Sequence, residues 1–445
     1  IYSNILSYYL RRSECLHQPN WPAVLEEYPV TLPALPLEGI RVIDFSRVLA
    51  GPLCSALLSD LGAEVIKIEP PGGDDYRAIG PFSAGESGLF SAMNRNKQSV
   101  VIDLKRDEGR ELAQALCAQA DVVVENFRPG VAERLGIGYA QLAAHNPGLV
   151  YASVSGFGQT GPESHRPAYD IILQAMCGLM DATGSPDGAP TLVGDSVSDV
   201  VSGIFASWGV LAALLARERT GKGTHVDVAM FDATLSLTTA LVARYATTGI
   251  APQRVGNRHP SSAPFGAYRA RDGYFVVAVL NNRLFERLAH AMNQPLLIDD
   301  ARFANDAARC ENEAALRACI ESWSGVRSIA EVNALLSEAG IPVAPIQNIS
   351  EALESEQARA RGVLVEAPAG GGGVVRLPKQ PVHFSAWPTT RTTRAPRLGE
   401  HTLAVLQQQL GVDTAYVATL VAAGVLRVDE ATDLRSETNQ ETNNA

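Results

Sequence analysis

The feature that most constrains this chain is a repeated unit of short apolar strand, helix of about three turns, and a second apolar strand. Gly39-Ile-Arg-Val-Ile-Asp-Phe45 reads as a strand, Ala50–Leu61 as a helix and Ala63–Glu69 as the next strand. Ser99–Leu104, Asp107–Ala118 and Asp121–Phe127 repeat the unit, a short turn of helix follows Pro129, and Leu149–Ser155 adds another strand. Strands that are apolar on both faces and alternate with helices predict an α/β fold with a parallel sheet covered on both sides.

Further on, Asp170–Arg219 reads as mostly helical, Thr224–Met230 as a strand and Phe231–Thr247 as one helical run. Gly249–Pro264, rich in Gly, Pro, Asn and Ser, reads as a loop. A strand at Tyr274–Val279 and helices at Asn281–Met292, Glu311–Trp323 and Ser328–Ala339 make a second region. A hairpin, Gly362–Ala367 with Gly373–Leu377, and helices at Glu400–Leu410 and Thr414–Ala423 close the pattern. With 445 residues, against the roughly 250–300 that one core serves, two domains are expected.

Charge and composition exclude several classes of function. The formal net charge of −11 repels phosphate backbones, so nucleic acid is not expected as a partner. The longest uncharged apolar stretch, Val200–Ala216, is interrupted by Ser202, Gly203, Ser207 and Gly209. It falls short of the about 20 apolar residues of a membrane span, so a core helix is expected and no membrane association. Six scattered cysteines with no C-x-x-C pair suit reduced thiols in the cytoplasm rather than a disulfide scaffold or a zinc site. Residues 1–36 lack the apolar core of a signal peptide and read as an extended arm, and residues 429–445 read as a polar tail.

The βαβ opening invites a dinucleotide reading, with Glu69 as the ribose acid. The turn Ser46-Arg-Val-Leu-Ala-Gly-Pro52 holds one glycine followed by proline, not the Gly-x-Gly-x-x-Gly that lets backbone approach a pyrophosphate. The run Gly370–Gly373 has no following Lys-Ser/Thr and reads as a hairpin tip. No G-x-S-x-G or H-E-x-x-H motif occurs, so a serine nucleophile elbow and a helical zinc pair are absent. Gly256-Asn-Arg-His-Pro260 has the composition of a backbone-donor loop, or of an ordinary domain connection. Asp170 follows the glycine-bearing Ser155–Gly161 stretch that leaves a parallel strand. Its carboxylate can serve as a helix N-cap or sit where open α/β sheets place ligands.

From about Pro36 to Ala423 the chain resembles the class III CoA-transferases of CaiB/BaiF type. The resemblance is carried by Leu37-Glu-Gly-Ile-Arg-Val-Ile-Asp-Phe45, Val48-Leu-Ala-Gly-Pro52, Leu61–Glu69, Asn94-Arg-Asn-Lys97, Val124–Gly130, Pro167-Ala-Tyr-Asp170, Gly221-Lys-Gly223 and Leu398-Gly-Glu-His401, in that order. It implies that Asp170 is a nucleophile forming an aspartyl-CoA thioester, with no metal and no cofactor beyond CoA and acyl-CoA as substrates. It implies CoA contacts at Val48, Leu49, Ala50, Asn96, Lys97, Asn126, Phe127, Arg134 and Leu135. Gly256, Asn257, Arg258 and His259 match the loop that closes over the intermediate and supplies oxyanion donors, although this chain lacks the glycine run of some relatives. Leu49 and Pro70-Pro71 replace polar CoA contacts found elsewhere in the family.

The resemblance also implies domain limits: a large Rossmann-like CoA-binding domain at 37–224, a small domain at 225–360, a return to the large domain at 361–428, and an interlocked homodimer. A dicarboxylate acceptor is expected, with succinyl-CoA as donor and Arg258 or His259 facing the distal carboxylate. Two alternatives stand beside this reading. An α-methylacyl-CoA racemase would want His before the Asp, where this chain has Tyr169, and a non-catalytic CoA-binding protein would use Asp170 only as a cap.

Overall fold

A run such as Arg41-Val-Ile-Asp44 buries consecutive residues on opposite faces, since successive side chains of a strand alternate. In the computed structural model, which describes residues 35–83, 85–369, 373–387 and 392–429, Val42 enters one hydrophobic cluster and Ile43 the other. Val65 and Ile66, and Val122 and Val123, divide in the same way. These pairs lie on β1 (Arg41–Asp44), β2 (Glu64–Glu69) and β4 (Val122–Glu125), which with β3 (Lys97–Ile102), β5 (Val150–Ser155) and β6 (Thr224–Ala229) form the parallel part of a seven-stranded sheet. The edge strand β12 (Leu426–Arg427) pairs antiparallel with β3, giving the order β12-β3-β2-β1-β4-β5-β6. The expected α/β class with a parallel-sheet domain is therefore present. The chain winds outward from β1 through β2 and β3, then returns to the other side of β1 with β4. That reversal leaves a crevice at the carboxyl ends of β1 and β4, where doubly wound sheets receive ligands.

Helices cover both faces. α1 (Ala50–Asp60) and α4 (Val197–Thr220) pack on one side, and α2 (Asp107–Ala118), α10 (Thr402–Leu410) and α11 (Thr414–Ala422) on the other. Gly203 lets α4 approach α1: a Cβ there would lie 2.7 Å from the carbonyl oxygen of Ala50. α4 is long and apolar enough to cross a membrane by length and composition. One of its faces packs against α1, while Ile204, Trp208 and Leu215 form an exposed stripe on the other.

A third cluster is built on β7 (Phe265–Ala270), β8 (Gly273–Ala278) and β9 (Val343–Pro345), an antiparallel sheet ordered β9-β8-β7. α7 (Asn282–Ala291), α8 (Glu313–Ser324) and α9 (Ile329–Glu338) enclose it through Phe285, Leu288, Leu316, Ile320, Val332 and Leu336. β10 (Leu364–Pro368) and β11 (Val374–Pro378) form the expected hairpin. Residues 370–372, most of the expected N-terminal arm and all but the first residue of the polar tail lie outside the described residues.

Two local expectations differ from the structure, and one strand was not read from the sequence. The helical reading of 170–219 is interrupted: helices end at Ala182, and a connection containing Gly184, Pro186, Gly188, Pro190 and Gly194 runs to α4. The run 231–247 is two helices, α5 (Met230–Leu237) and α6 (Thr239–Thr248). They break at Thr238, where Ser236, Thr238 and Thr239 hydroxyls donate to nearby carbonyls and compete with the helical ladder. β7 carries Gly266 and Arg269 inside its run, which hid its pattern, and it is specified by its partner β8. The expected domain limit at 224 falls on the first residue of β6, inside the large sheet.

Candidate active site at the sheet switch point

The crevice is a cleft of about 690 Å³ whose walls are the segments leaving β1, β4 and β5. Arg47, Val48, Leu49 and Ala50 come from the first, Asn126, Phe127 and Arg128 from the second, and Ser155 and Gly156 from the third. The first two segments are tied reciprocally: Arg47 N–H donates to Asn126 Oδ1 at 2.9 Å, and Asn126 Nδ2 donates to the Arg47 carbonyl at 2.7 Å. Val48 adopts φ +71°, a left-handed conformation that a β-branched residue takes only when its surroundings impose it. Part of that constraint is visible, since Val48 N–H donates to Asp74 Oδ1 at 3.1 Å.

Beneath this segment lies a buried ionic network. Lys97 Nζ pairs with Asp44 at 2.9 Å and donates to the Pro52 carbonyl and Asn94 Oδ1. Lys67 Nζ pairs with Asp74 at 2.9 Å and donates to the Ser46 carbonyl at 2.6 Å. Burial alone would raise the Asp44 carboxyl, but the two ammonium groups and the Ser46 and Ser55 hydroxyls hold it down at about 2. Burial pulls Lys97 down to about 8 against the opposing pull of Asp44. The network anchors both ends of the β1–α1 connection, so the cleft wall is braced by paired charges rather than by loop packing.

Asp170 opens α3 (Asp170–Met176) as its first residue, not as its cap; the cap is Tyr169, which makes no side-chain capping bond. The carboxylate turns instead to a different helix. Oδ1 accepts from the backbone N–H of Ser198 in the first turn of α4 at 2.7 Å, and Oδ2 accepts from Gln174 Nε2 at 2.7 Å. Gln174 is fully buried and also donates to the Asp195 carbonyl while accepting from Val193 N–H. The positive end of a 24-residue helix thus faces Asp170, an arrangement that favours an anion there. Tyr169 and Asp199, on either side of this carboxylate, both line the cleft. Burial and then the charge of Asp170 push the Asp199 carboxyl up to about 7.

The structure gathers Val48, Leu49, Ala50, Asn126, Phe127 and Arg134 around one cleft, which Tyr169 lines while Asp170, the next residue, does not. Other expected contacts lie elsewhere. Lys97, expected at a ligand phosphate, has a fully buried side chain paired with Asp44. Asn96, at φ +62°, donates to Asp60 and accepts from Thr393 N–H at 2.6 Å. Leu135 packs with the core cluster behind Phe127 and borders a separate small cavity beside it. Gly256, Asn257, Arg258 and His259 do not line the cleft. Two expected oxyanion donors are engaged, Gly256 N–H with the Gly184 carbonyl and His259 N–H with that of Phe265 at 2.7 Å. The His259 ring stacks on Phe265.

Sequence reasoning missed Arg47, Arg128, Arg166 and Asp199, all cleft residues. Each arginine directly precedes or follows a residue of the motifs that carry the resemblance, and together they supply the cationic rim that phosphates require. Asp199 lies in the first turn of α4, and only the contact between α3 and α4 makes it a neighbour of Asp170.

The family model described as CoA-transferase family III matches residues 37–402. The chain belongs to CoA-transferase family III. This transferase is 45% identical over 380 residues to the acetyl-CoA:oxalate CoA-transferase of Acetobacter aceti, covering 84% of this chain and 96% of that one. It is 36% identical to the succinyl-CoA:glutarate CoA-transferase of Mus musculus, covering 89% and 91% of the two chains. Among solved structures, a CaiB/BaiF family protein from Brucella suis superposes with a TM-score of 0.77 at 38% identity, covering 85% of the transferase and all of that chain.

Proposed function

We propose that this transferase moves CoA from an acyl-CoA, with succinyl-CoA the expected donor, to a dicarboxylic acid, using Asp170 as the nucleophile. The observation that carries the reading is the Asp170 carboxylate held on the N-terminus of α4, directly after Tyr169, which lines the cleft. An Asp170 oxygen attacks the donor thioester carbonyl and expels CoA thiolate, leaving a mixed anhydride. The thiolate then attacks the aspartyl carbonyl, releases the donor acid and leaves Asp170 as a CoA thioester. The acceptor carboxylate attacks that thioester and frees the thiolate, which takes the acceptor acyl group and restores Asp170. Each attack replaces one acyl bond by another, so no electrons are gained or lost and two easier steps replace one hard exchange.

Dicarboxylates are favoured because relatives act, by their names, on oxalate, glutarate and mesaconate. Incubation with succinyl-CoA followed by borohydride tests the intermediate. An aspartyl thioester is reduced to an alcohol, lowering the mass of the Asp170 peptide by about that of one oxygen atom and adding two hydrogens, and Asp170→Asn abolishes the change. An unmodified peptide during active turnover would sink the aspartyl route.

We further infer a homodimer. The Ile204–Trp208–Leu215 stripe lies near further exposed apolar residues in sequence, among them Leu237, Val242 and Tyr245 of α5 and α6, and such surface is characteristic of an interface. Light scattering at the monomer mass would exclude it.

A further inference from the structure

Ser155 ends β5 at the carboxyl edge of the sheet and lines the cleft. It is only 6% exposed, yet its Oγ is buried without a hydrogen-bond partner among the described residues. A buried hydroxyl left unpaired is costly, and folded proteins avoid it. The next residue fixes where this hydroxyl sits. At Gly156 a Cβ would fall 2.5 Å from the Ala168 Cβ, so the end of β5 is pressed against the segment that runs through Tyr169 into Asp170. Ser155 therefore lies in the wall of the arginine-bearing cleft, beside the segment that leads to Asp170.

We propose that Ser155 is a substrate-binding residue, donating its hydroxyl to an amide carbonyl of the pantetheine arm of the acyl-CoA. A single neutral donor suits an uncharged amide, whereas the guanidinium groups of Arg47, Arg128 and Arg134 suit the phosphates. The missing hydrogen bond in the free protein is then the one the ligand completes. This rests on the CoA-transferase reading but not on Asp170 acting as nucleophile, because binding alone tests it.

The experiment compares wild type and Ser155→Ala by calorimetric titration with two unreactive probes, a CoA thioether and adenosine 3′,5′-bisphosphate, alongside thermal melting. Loss of one neutral hydrogen bond weakens thioether binding about five- to tenfold. Adenosine bisphosphate binding stays within about twofold and the melting temperature is unchanged or higher. Unchanged thioether affinity overturns the proposal. Parallel weakening of both probes places the hydroxyl at the phosphates and overturns it too. A lower melting temperature shows that the hydroxyl has an internal partner, which likewise overturns it. The borohydride experiment fails or succeeds separately, so the two readings can fall independently.

Discussion

Asp170 and Ser198 are 28 positions apart, and the Asp170 carboxylate accepts the backbone N–H of Ser198 at 2.7 Å. This one contact turns a residue with the position and type of a helix cap into a carboxylate held by the first turn of another helix, next to Tyr169 of the cleft wall. It also removes an unpaired donor from the first turn of α4.

Asp170 is therefore expected to affect stability and activity unequally. Asp170→Asn keeps a carbonyl acceptor for Ser198 and should change stability little. Asp170→Ala loses it at a cost of about 1 kcal/mol. Both should lower turnover by about 10³ or more if the nucleophile is gone. Urea denaturation beside an HPLC assay of acyl-CoA exchange checks this, and turnover that tracks only the small stability change would mean that Asp170 is a structural acceptor.

Asp199 should leave a mark on pH dependence. Its folded carboxyl is raised from 3.8 to about 7 by burial and by Asp170. Between those values the folded protein holds a proton that the unfolded chain has released. The stabilisation is complete below the unfolded value and is lost as pH rises through the folded one. Glu125, raised by burial to about 7, acts in the same direction. Asp199→Asn should flatten the fall in stability between about pH 4 and pH 7 in part, and addition of Glu125→Gln should flatten it further. An unchanged slope in both variants would remove these groups as its origin.

Lys97 and Arg134, both expected from sequence at CoA phosphates, should separate. Lys97→Met leaves the buried Asp44 without its closest cation and should cost about 3–5 kcal/mol. Arg134 is exposed on the cleft rim, so Arg134→Met should weaken CoA binding with little change in stability. Chemical denaturation and calorimetry on both variants decide it; a stable Lys97→Met with weakened CoA binding would reverse the assignment.

Gly156→Ala should disturb catalysis from a distance. Its Cβ would lie 2.5 Å from that of Ala168, so the segment leading to Asp170 must shift. A displacement of this size is expected to lower kcat by about tenfold or more. Ala168→Gly in the same chain should recover part of the loss, and a normal kcat in the single variant would show that the segment yields without moving Asp170.

Much of the architecture was legible because buried parallel strands announce themselves. Val122-Val123-Val124 must be apolar throughout when one sheet has helices on both faces. The short Gly266-containing β7 and the break at Thr238 were illegible for the opposite reason: each depends on a partner strand or on hydroxyl–carbonyl bonds that periodicity does not record. At the site, the segments after β1 and β4 could be located from sequence, since they leave the strands that meet at the sheet reversal.

The sequence by itself determined the sheet, its covering helices, the family and the identity of the residues that leave β1 and β4 for the cleft. Those properties follow from local runs of apolar residues and from motifs read in order. Only the tertiary structure decided that Lys97 is consumed by Asp44, that Asp199 stands beside Asp170, and that Ser155 keeps an unpaired hydroxyl in the same cleft. Each of these depends on which distant side chain or helix end occupies the neighbouring space, and pairing and burial across the fold are set by packing rather than by any residue's type.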